Sequence, residues 1–225
     1  TSTVEFTGTN AQTIGSAATT FYNLKINKAS NTATLGAATI IQSAGSLDVT
    51  SGTFNIGAET FTNNGTTSIS GTLDDSSATG TNIFVGLVTI NNGGTWQSTS
   101  NESYTLRGGL TNNGTFSTSA TGTYTFDTNS QAIGGNNAIS IAEVTVTGVT
   151  LTNNSTTGLT VSSILAGTGG LTQGANAVLN IGGTSGITTL TATDSGNTVN
   201  YNCAGAQTVK ATTGYYNLTT SGSGT

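Results

Sequence analysis

The sequence predicts an all-β protein, and within that class a right-handed parallel β-helix (β-solenoid) of about eleven short-strand rungs. Three observations lead to this prediction. Apolar residues come in pairs spaced two apart, turn-forming clusters separate the pairs every six to ten residues, and no helical periodicity or proline occurs in the 225 residues. Spacing by two places both side chains of a pair on one face of a strand.

The strands are predicted, in order, at ten apolar pairs: Val4/Phe6, Leu24/Ile26, Leu47/Val49, Phe54/Ile56, Val88/Ile90, Tyr104/Leu106, Tyr124/Phe126, Val144/Val146, Leu159/Val161 and Val199/Tyr201. The corners between them are rich in Asn and Gly, as at Asn63-Asn64-Gly65 and Asn112-Asn113-Gly114. Both residue types accept the positive φ of tight corners. With three strands and about 20 residues in each rung, the chain forms a rod about 50 Å long.

Composition excludes several classes of protein. Thr, Gly, Ser and Asn (51, 32, 24 and 24 residues) make up more than half of the chain, and only 6% of residues are charged. The net charge is −5 and the basic residues are Lys25, Lys28, Arg107 and Lys210, so no basic stripe is available for nucleic acid. No apolar run approaches the roughly 20 residues of a membrane-spanning helix. Ordered apolar pairs argue against disorder.

Internal repeats predict one continuous solenoid over residues 1–225, cut from a longer array. The motif at residues 4–24 recurs at residues 199–218, and a weaker copy covers residues 124–146. A second unit, Leu-Thr-Asn-Asn-Gly-Thr, begins at Leu110 and has variants at Phe61 and Leu151. Stacked corners of this kind predict ladders of Asn amides along the axis. An array of β-sandwich repeats is the alternative architecture, and it would require antiparallel hairpins.

These units resemble those of bacterial secreted and cell-surface β-strand-repeat proteins, the group that includes filamentous-haemagglutinin-like and autotransporter-like adhesins. The resemblance rests on the unit at Leu110, on Gly169-Gly170-Leu171-Thr172-Gln173-Gly174, and on Ala206-Gln207-Thr208-Val209 leading to Tyr215-Tyr216-Asn217-Leu218. It implies a right-handed parallel β-helix exported to the cell surface or beyond, and it carries over no catalytic residue.

The acidic residues of the sequence favour neither catalysis nor metal binding. Asp74-Asp75, followed by Ser76-Ser77, is predicted to be a solvated turn, with calcium binding and glycoside hydrolysis as the alternatives. The other acids considered, Asp48, Asp127, Glu143 and Asp194, are isolated singles with no cationic neighbour expected. We therefore predict a protein that is not an enzyme and has no catalytic, cofactor or metal site.

Several further residues have a structural interpretation. Gly108-Gly109 and Gly182-Gly183 lack the lysine and the helix of a phosphate-binding loop, so they are interpreted as turns. Cys203 is the single cysteine and is predicted to lie in a turn. Core or corner packing is favoured over a sugar-stacking platform for four aromatic residues: Trp96, Tyr104, Tyr215 and Tyr216.

The predicted function is structural: a fibre, sheath or stalk of the bacterial extracellular surface that associates with further copies of itself. An adhesin shaft that binds surface glycans or another cell is the first alternative. Ice binding is the second, because Thr-x-Thr pairs such as Thr123/Thr125 and Thr145/Thr147 present hydroxyls, although their spacing along the sequence is irregular. A polysaccharide lyase or hydrolase is the last. The predicted location is extracellular, with the secretion signal outside this chain.

Overall fold

The computed structural model confirms the predicted fold class. It describes residues 1–75, 80–99, 101–118 and 121–222, and over these residues the chain is all-β, contains no helix, and stacks as a parallel β-solenoid of about 10 turns. All pairings between the named strands are parallel, so the alternative of antiparallel β-sandwich repeats is excluded. At about 4.8 Å per turn, ten turns give a stack about 48 Å high.

The solenoid has three faces, and the chain visits them in the same order in each turn. The first face contains β1 (Thr3–Gly8), the middle of β3 (Thr19–Leu35), the middle of β4 (Thr39–Asn55), β6 (Thr66–Ile69), β9 (Val88–Ile90), β12 (Leu110–Asn112), β15 (Gln131–Gly134), β17 (Thr150–Asn153), β19 (Gly170–Gln173) and β22 (Thr189–Thr191).

The second face contains β2 (Gln12–Ile14), the ends of β3 and β4, β7 (Thr72–Asp75), β10 (Thr95–Ser98), β13 (Thr115–Ser117), the starts of β16 (Ile139–Val146) and β18 (Leu159–Ala166), β20 (Val178–Ile181), β23 (Thr198–Tyr201) and β24 (Asn217–Thr220). The third face contains the starts of β3 and β4, β5 (Phe61–Asn63), β8 (Thr81–Phe84), β11 (Ser103–Leu106), β14 (Thr123–Phe126), the ends of β16 and β18, and β21 (Thr184–Ser185).

The turns vary in length, which accounts for about ten turns where the sequence predicts about eleven. Leu179 pairs with Val199 one turn above, 20 residues later in the chain. Leu73 pairs with Trp96 and Leu110 with Ile133, so those turns take 23 residues. The extra residues lie in corners, because paired strands must stay in register while the loops between them are free to lengthen.

Alternation of side chains builds the core. In β11, Tyr104 and Leu106 are buried while Ser103 faces outward, and the same pattern holds for Leu179 and Ile181 in β20. Burial of each apolar side chain contributes about 1.5–3 kcal/mol. Through the middle turns the core is aromatic, with ring centroids 4.8–6.3 Å apart along a connected series formed by Phe54, Phe61, Phe84, Trp96, Tyr104, Phe116 and Tyr124.

The prediction of Asn ladders at the corners is wrong. Asn63, Asn112 and Asn153 are fully buried, but they lie at strand ends in separated turns or on different faces. Each closes its own corner: the Asn63 Oδ1 accepts from the Gly65 N–H at 2.9 Å, and the Asn153 Oδ1 accepts from the Ser155 N–H at 3.0 Å. This is the local bond that Asn makes in turns.

A short axial ladder does form, on the outside of the second face. The Asn200 Nδ2 donates to the Asn180 Oδ1 at 3.3 Å, the Asn180 Nδ2 donates to the Thr160 Oγ1 at 3.3 Å, and the Ser221 hydroxyl donates to the Asn200 Oδ1 at 3.1 Å. Amide hydrogen bonds along the axis therefore occur at outward strand positions, and also at one buried strand end, where the Asn153 Nδ2 donates to the Gln173 Oε1 at 2.7 Å.

The repeated sequence motif begins on a different face in each copy. Val4 lies in β1 on the first face, Tyr124 in β14 on the third, and Val199 in β23 on the second. In every copy the closing strand stacks on the opening strand, as shown by the pairs Val4 with Leu24, Tyr124 with Val144, and Val199 with Leu218. The motif therefore encodes one complete turn and is compatible with any of the three faces.

Candidate functional site

The main concentration of buried polar groups lies inside the solenoid, at the corner from the second to the third face. Turn four runs through β6, β7 and β8, and turn five through β9, β10 and β11. Asp75 ends β7, Asn82 lies in β8 and Tyr104 in β11; Tyr124 in β14 stacks above Tyr104, and Glu102 immediately precedes β11. We call these five residues the Asp75 cluster; all are at most 1% exposed.

Asp75 holds the cluster together. The Asn82 Nδ2 donates a short hydrogen bond to the Asp75 Oδ2, and the Tyr104 hydroxyl donates to the same oxygen at 3.2 Å. The Tyr104 and Tyr124 rings stack at 4.8 Å with 29° between their planes, and Trp96 meets Tyr104 edge-on at 5.2 Å. The cluster is therefore packed by aromatic rings on the side of the lumen.

Burial dominates the electrostatics of the two tyrosines. Burial, followed by the neighbouring Asp75, raises the pKa of the Tyr104 hydroxyl well above its usual range. Burial, then Tyr104 and Asp75, raises the pKa of the Tyr124 hydroxyl in the same direction. Both hydroxyls therefore remain protonated at physiological pH, and Tyr104 acts as a donor toward Asp75.

The interpretation of Asp74-Asp75 as a solvated turn is wrong. Both residues belong to β7, where Asp75 points inward and is fully buried while Asp74 points outward and is half-buried. The two carboxylates face opposite sides of the strand because successive side chains alternate. Ser76-Ser77, which suggested the turn, lie outside the described residues. Leu73 and Asp75 follow the same alternation as the apolar pairs, and this was the signal for an inward carboxylate.

Lys28 is a second buried polar site that sequence reasoning did not single out. Its side chain is 1% exposed, and its ammonium donates to the Thr7 carbonyl at 3.1 Å, the Asn10 carbonyl at 2.5 Å and the Gln12 Oε1 at 2.6 Å. The alternation Leu24-x-Ile26-x-Lys28 places the lysine on the inner side and was the available signal.

Two clefts meet at Cys203, in the segment without regular structure after β23. One, of about 330 Å³, is lined by Tyr201, Gln207 and Val209, and the other, of about 420 Å³, by Ile164, Ala166 and Ser185. Cys203 is a partly exposed free thiol, as expected of a residue in an irregular turn. The Gln207 side chain fixes this segment, since its Oε1 accepts from the Cys203 N–H at 3.1 Å and its Nε2 donates to the Ile181 carbonyl at 2.7 Å.

The third face presents an uninterrupted outward ladder, which we call the Thr/Ile ladder. Register pairs connect its members from turn to turn: Thr20, Ile40, Thr62, Ile83, Thr105, Thr125 and Thr145. Every member is β-branched and uncharged. Only one residue of each Thr-x-Thr pair belongs to the ladder: Thr125 and Thr145 are members, whereas Thr123 stands in register with Glu143.

The remaining sequence candidates fall into structural roles. Trp96 and Tyr104 are core residues, as favoured. Tyr215 packs against the core, and its hydroxyl is 3.1 Å from that of Tyr201. The prediction of core or corner packing is wrong for Tyr216, which is 54% exposed. Gly183 lies in a corner between β20 and β21, where a Cβ would come within 1.8 Å of the Ser163 carbonyl, so glycine is required there by the close approach of the turn below.

The expectation that the single acids lack cationic neighbours is wrong for Asp127. The Arg107 guanidinium donates to both of its carboxylate oxygens, at 2.7 and 3.2 Å. The hydrogen bond from Arg107 lowers the pKa of Asp127. Asp48, Glu143 and Asp194 remain separate, and no group of three or more His, Cys, Asp or Glu lies together among the described residues.

Fold and site define the chain as a parallel β-solenoid with a polar cluster buried in its lumen. Comparisons with protein-family models, with curated proteins and with solved structures found no match to this chain. No helix in the described part of the chain has the length and apolar character needed to span a membrane.

Proposed function

We propose that this protein is a structural β-solenoid of the bacterial extracellular surface, a fibre, sheath or stalk that associates with further copies of itself. The observation that carries the proposal is the stack itself. Parallel pairing links successive turns from β1 to β24, and a core of buried apolar side chains extends from Ile14 to Tyr201. A body in which each turn packs mainly on its neighbours is a stiff rod.

The rod offers two strand edges for association. Within the described chain, β1 pairs with β3 and β24 with β23, each along one edge. Exposed apolar side chains accompany these strands, with Val4 41% and Leu218 44% exposed. Unpaired edges of this kind recruit further strands, and so they support head-to-tail association of the 225-residue chain when it is taken by itself.

Electron microscopy of the purified protein at increasing concentration tests this function. We expect filaments with an axial spacing near 4.8 Å in diffraction. Val4→Lys and Leu218→Lys should shorten or abolish them, because they place charge at the associating edges. Ile40→Lys is the matched control, since Ile40 is 45% exposed but lies on the third face. Monodisperse rods about 48 Å long at all concentrations would overturn the association.

The Thr/Ile ladder favours ice binding as a second function. Its methyl and hydroxyl groups repeat at the strand spacing of about 4.8 Å on a parallel sheet, and a regular array of this kind orders water. Thermal hysteresis of wild-type protein, lost in Thr125→Lys and kept in Thr152→Lys on the first face, would establish it. Absence of hysteresis in the wild type excludes it, and retention on surface glycans would instead support the adhesin alternative.

A further inference from the structure

The tripeptide Asn-Asn-Gly occurs three times in the chain, at residues 63–65, 91–93 and 112–114. In each copy, the main-chain nitrogen of glycine can attack the side-chain amide carbon of the preceding asparagine and close a five-membered succinimide ring. Glycine has no side chain to shield that nitrogen. Because the tripeptide is the same at all three positions, the surrounding fold decides where the reaction occurs.

The corner at residues 63–65 holds both reacting groups. The Gly65 N–H donates to the Asn63 Oδ1 at 2.9 Å, and the Asn64 Nδ2 donates to the Ile41 carbonyl of the turn below at 3.0 Å. Gly65 is buried, and a Cβ on it would come within 1.9 Å of the Gly45 carbonyl. The glycine nitrogen therefore reaches the Asn64 side chain only if this corner opens.

The corner at residues 112–114 is held in a similar way. The Gly114 N–H donates to the Asn112 Oδ1 at 3.2 Å, and the Asn113 Oδ1 accepts from the Asn136 N–H of the turn above at 3.0 Å. The Asn113 main chain is also fixed, because its N–H donates to the Ile90 carbonyl of the turn below at 2.8 Å. Both reacting groups are thus bonded here as well.

The corner at residues 91–93, between β9 and β10, leaves both reacting groups exposed. Asn92 and Gly93 are exposed, and Gly93 has a positive φ of 84° with open space where a Cβ would lie. Within the described part of the chain, neither the Asn92 side chain nor the Gly93 N–H makes a hydrogen bond. The turn is closed on either side of this pair, where the Gly94 N–H donates to the Asn91 carbonyl at 2.9 Å.

Strand alternation explains the difference between the three corners. Asn63 and Asn112 take the last, inner position of β5 and β12, and from there their side-chain oxygens accept from the glycine N–H. In β9 the last inner position belongs to Ile90, so Asn91 follows on the outer side. Its Nδ2 donates to two serine hydroxyls of the turn below, each at 3.0 Å. Asn91 therefore bonds the turn below instead of capping Gly93.

We propose that Asn92 is a site of spontaneous deamidation in the folded protein, whereas Asn64 and Asn113 are protected by their corners. Hydroxide removes the Gly93 amide proton, the nitrogen bonds to the Asn92 Cγ, and the Cγ–Nδ2 bond breaks as the leaving nitrogen takes a proton from water and departs as ammonia. Water then opens the succinimide at either carbonyl and gives aspartate or isoaspartate, with no oxidation or reduction. The product adds one negative charge to a chain of net charge −5. This modification is independent of the proposed structural function.

Peptide mapping by mass spectrometry, after incubation of the full chain at mildly alkaline pH, tests the proposal. A gain of one dalton is expected at Asn92 about tenfold or more faster than at Asn64 or Asn113, because reaction at those two positions requires prior opening of the corner. Asn92→Gln is the matched variant: glutamine keeps the amide but cannot close the five-membered ring, so the gain at position 92 should disappear. Equal rates at the three asparagines, or no conversion of Asn92, would overturn the proposal.

The same incubation in concentrated guanidinium chloride separates the effect of the fold from that of the local sequence. Once the corners are unfolded, the three tripeptides should react at comparable rates, and the advantage of Asn92 should vanish. If Asn92 keeps the same advantage in denaturant, neighbouring residues rather than the solenoid determine the preference, and the proposal is wrong. Both comparisons use the wild-type chain, so they do not depend on the folding of any variant.

Discussion

Lys28 shows how one residue closes a corner in a chain with few charges. Its three ammonium protons satisfy two main-chain carbonyls and one side-chain amide of the turn below. No carboxylate is among these partners. The lysine thus joins the first two turns through hydrogen bonds from a charged donor, which are stronger than those between neutral groups.

Lys28→Met should lower the free energy of unfolding by about 1–3 kcal/mol, because the Thr7 and Asn10 carbonyls and the Gln12 amide oxygen lose a charged donor. Chemical denaturation monitored by circular dichroism measures the change. Lys25→Met is the matched control: its ammonium pairs with Glu5 at 3.0 Å on the surface, and such pairs contribute less than about 1 kcal/mol. Equal effects of the two substitutions would show that the buried bonds add nothing.

The Arg107–Asp127 pair predicts a small acid sensitivity. Because Arg107 lowers the pKa of Asp127 from its ordinary value of 3.8, its contribution to stability is present above that value and is lost as the pH falls through the lowered pKa. Asp127→Asn should therefore reduce stability at pH 7 by less than about 1 kcal/mol, and the difference from wild type should vanish at strongly acid pH.

Denaturation midpoints measured between pH 7 and pH 2 test this dependence. Asp194→Asn serves as the control for the loss of a carboxylate, since Asp194 is exposed and the partner of Arg107 is Asp127. A difference between Asp127→Asn and wild type that stays constant down to pH 2 would contradict the assignment to the ion pair.

At the level of the element, the corner glutamines explain how turns of unequal length stay joined. The Gln131 Nε2 donates to the Leu106 carbonyl at 2.9 Å, and its Oε1 accepts from the Gly109 N–H at 2.8 Å. Gln207 repeats the arrangement at the Ile181 carbonyl. Gln131 follows the third-face strand β14 and bonds the end of β11 in the turn below. Gln207 follows the second-face strand β23 and bonds the end of β20 in the turn below. At the Ile181 carbonyl this bond is added to the one from the Asn202 N–H, so a long polar side chain reinforces the join between turns.

Gln131→Ala should destabilise the protein by about 2–3 kcal/mol and accelerate hydrogen exchange at the Gly109 amide, because that N–H and the Leu106 carbonyl lose their buried partner. Hydrogen exchange followed by mass spectrometry or NMR reports the local effect. Gln42→Ala, at an exposed position of β4, should leave the Gly109 amide protected. Unchanged exchange in Gln131→Ala would show that the corner is held by the strands alone.

At the scale of the whole molecule, stability should be distributed along the axis. Interior turns have neighbours above and below, whereas the first turn is largely exposed and β24 is exposed at every residue. When each turn packs on its nearest neighbours, opening begins where one neighbour is missing. The aromatic middle turns, from Phe54 to Tyr124, have the largest buried side chains.

Hydrogen exchange should therefore be slowest in turns three to six and progressively faster toward β1 and β24. Peptide-level exchange across the chain measures the gradient, with the strands around Trp96 as the protected reference. Equal protection from end to end would show that the solenoid unfolds as a single cooperative unit instead.

The sequence alone determined the class of fold and the inner side of most strands. Apolar alternation at pairs such as Tyr104/Leu106 is a local property, since the backbone of a strand sends successive side chains to opposite sides. The same alternation holds for charged residues, and it places Lys28, Asp75 and Glu102 on the inner side. Corner positions also followed from local chemistry, because Asn and Gly accept turn conformations.

The tertiary structure decided which residues meet across turns. Asp75 and Tyr104 are 29 positions apart in the chain, and their contact depends on the summed lengths of the corners between them, which composition does not encode. For the same reason the three copies of one motif begin on three different faces, and Thr125 stands in register with Thr145 in the Thr/Ile ladder. Stacking requires register between strands but sets no fixed length for the loops. Which residues of successive turns come into contact is therefore decided only in the folded solenoid.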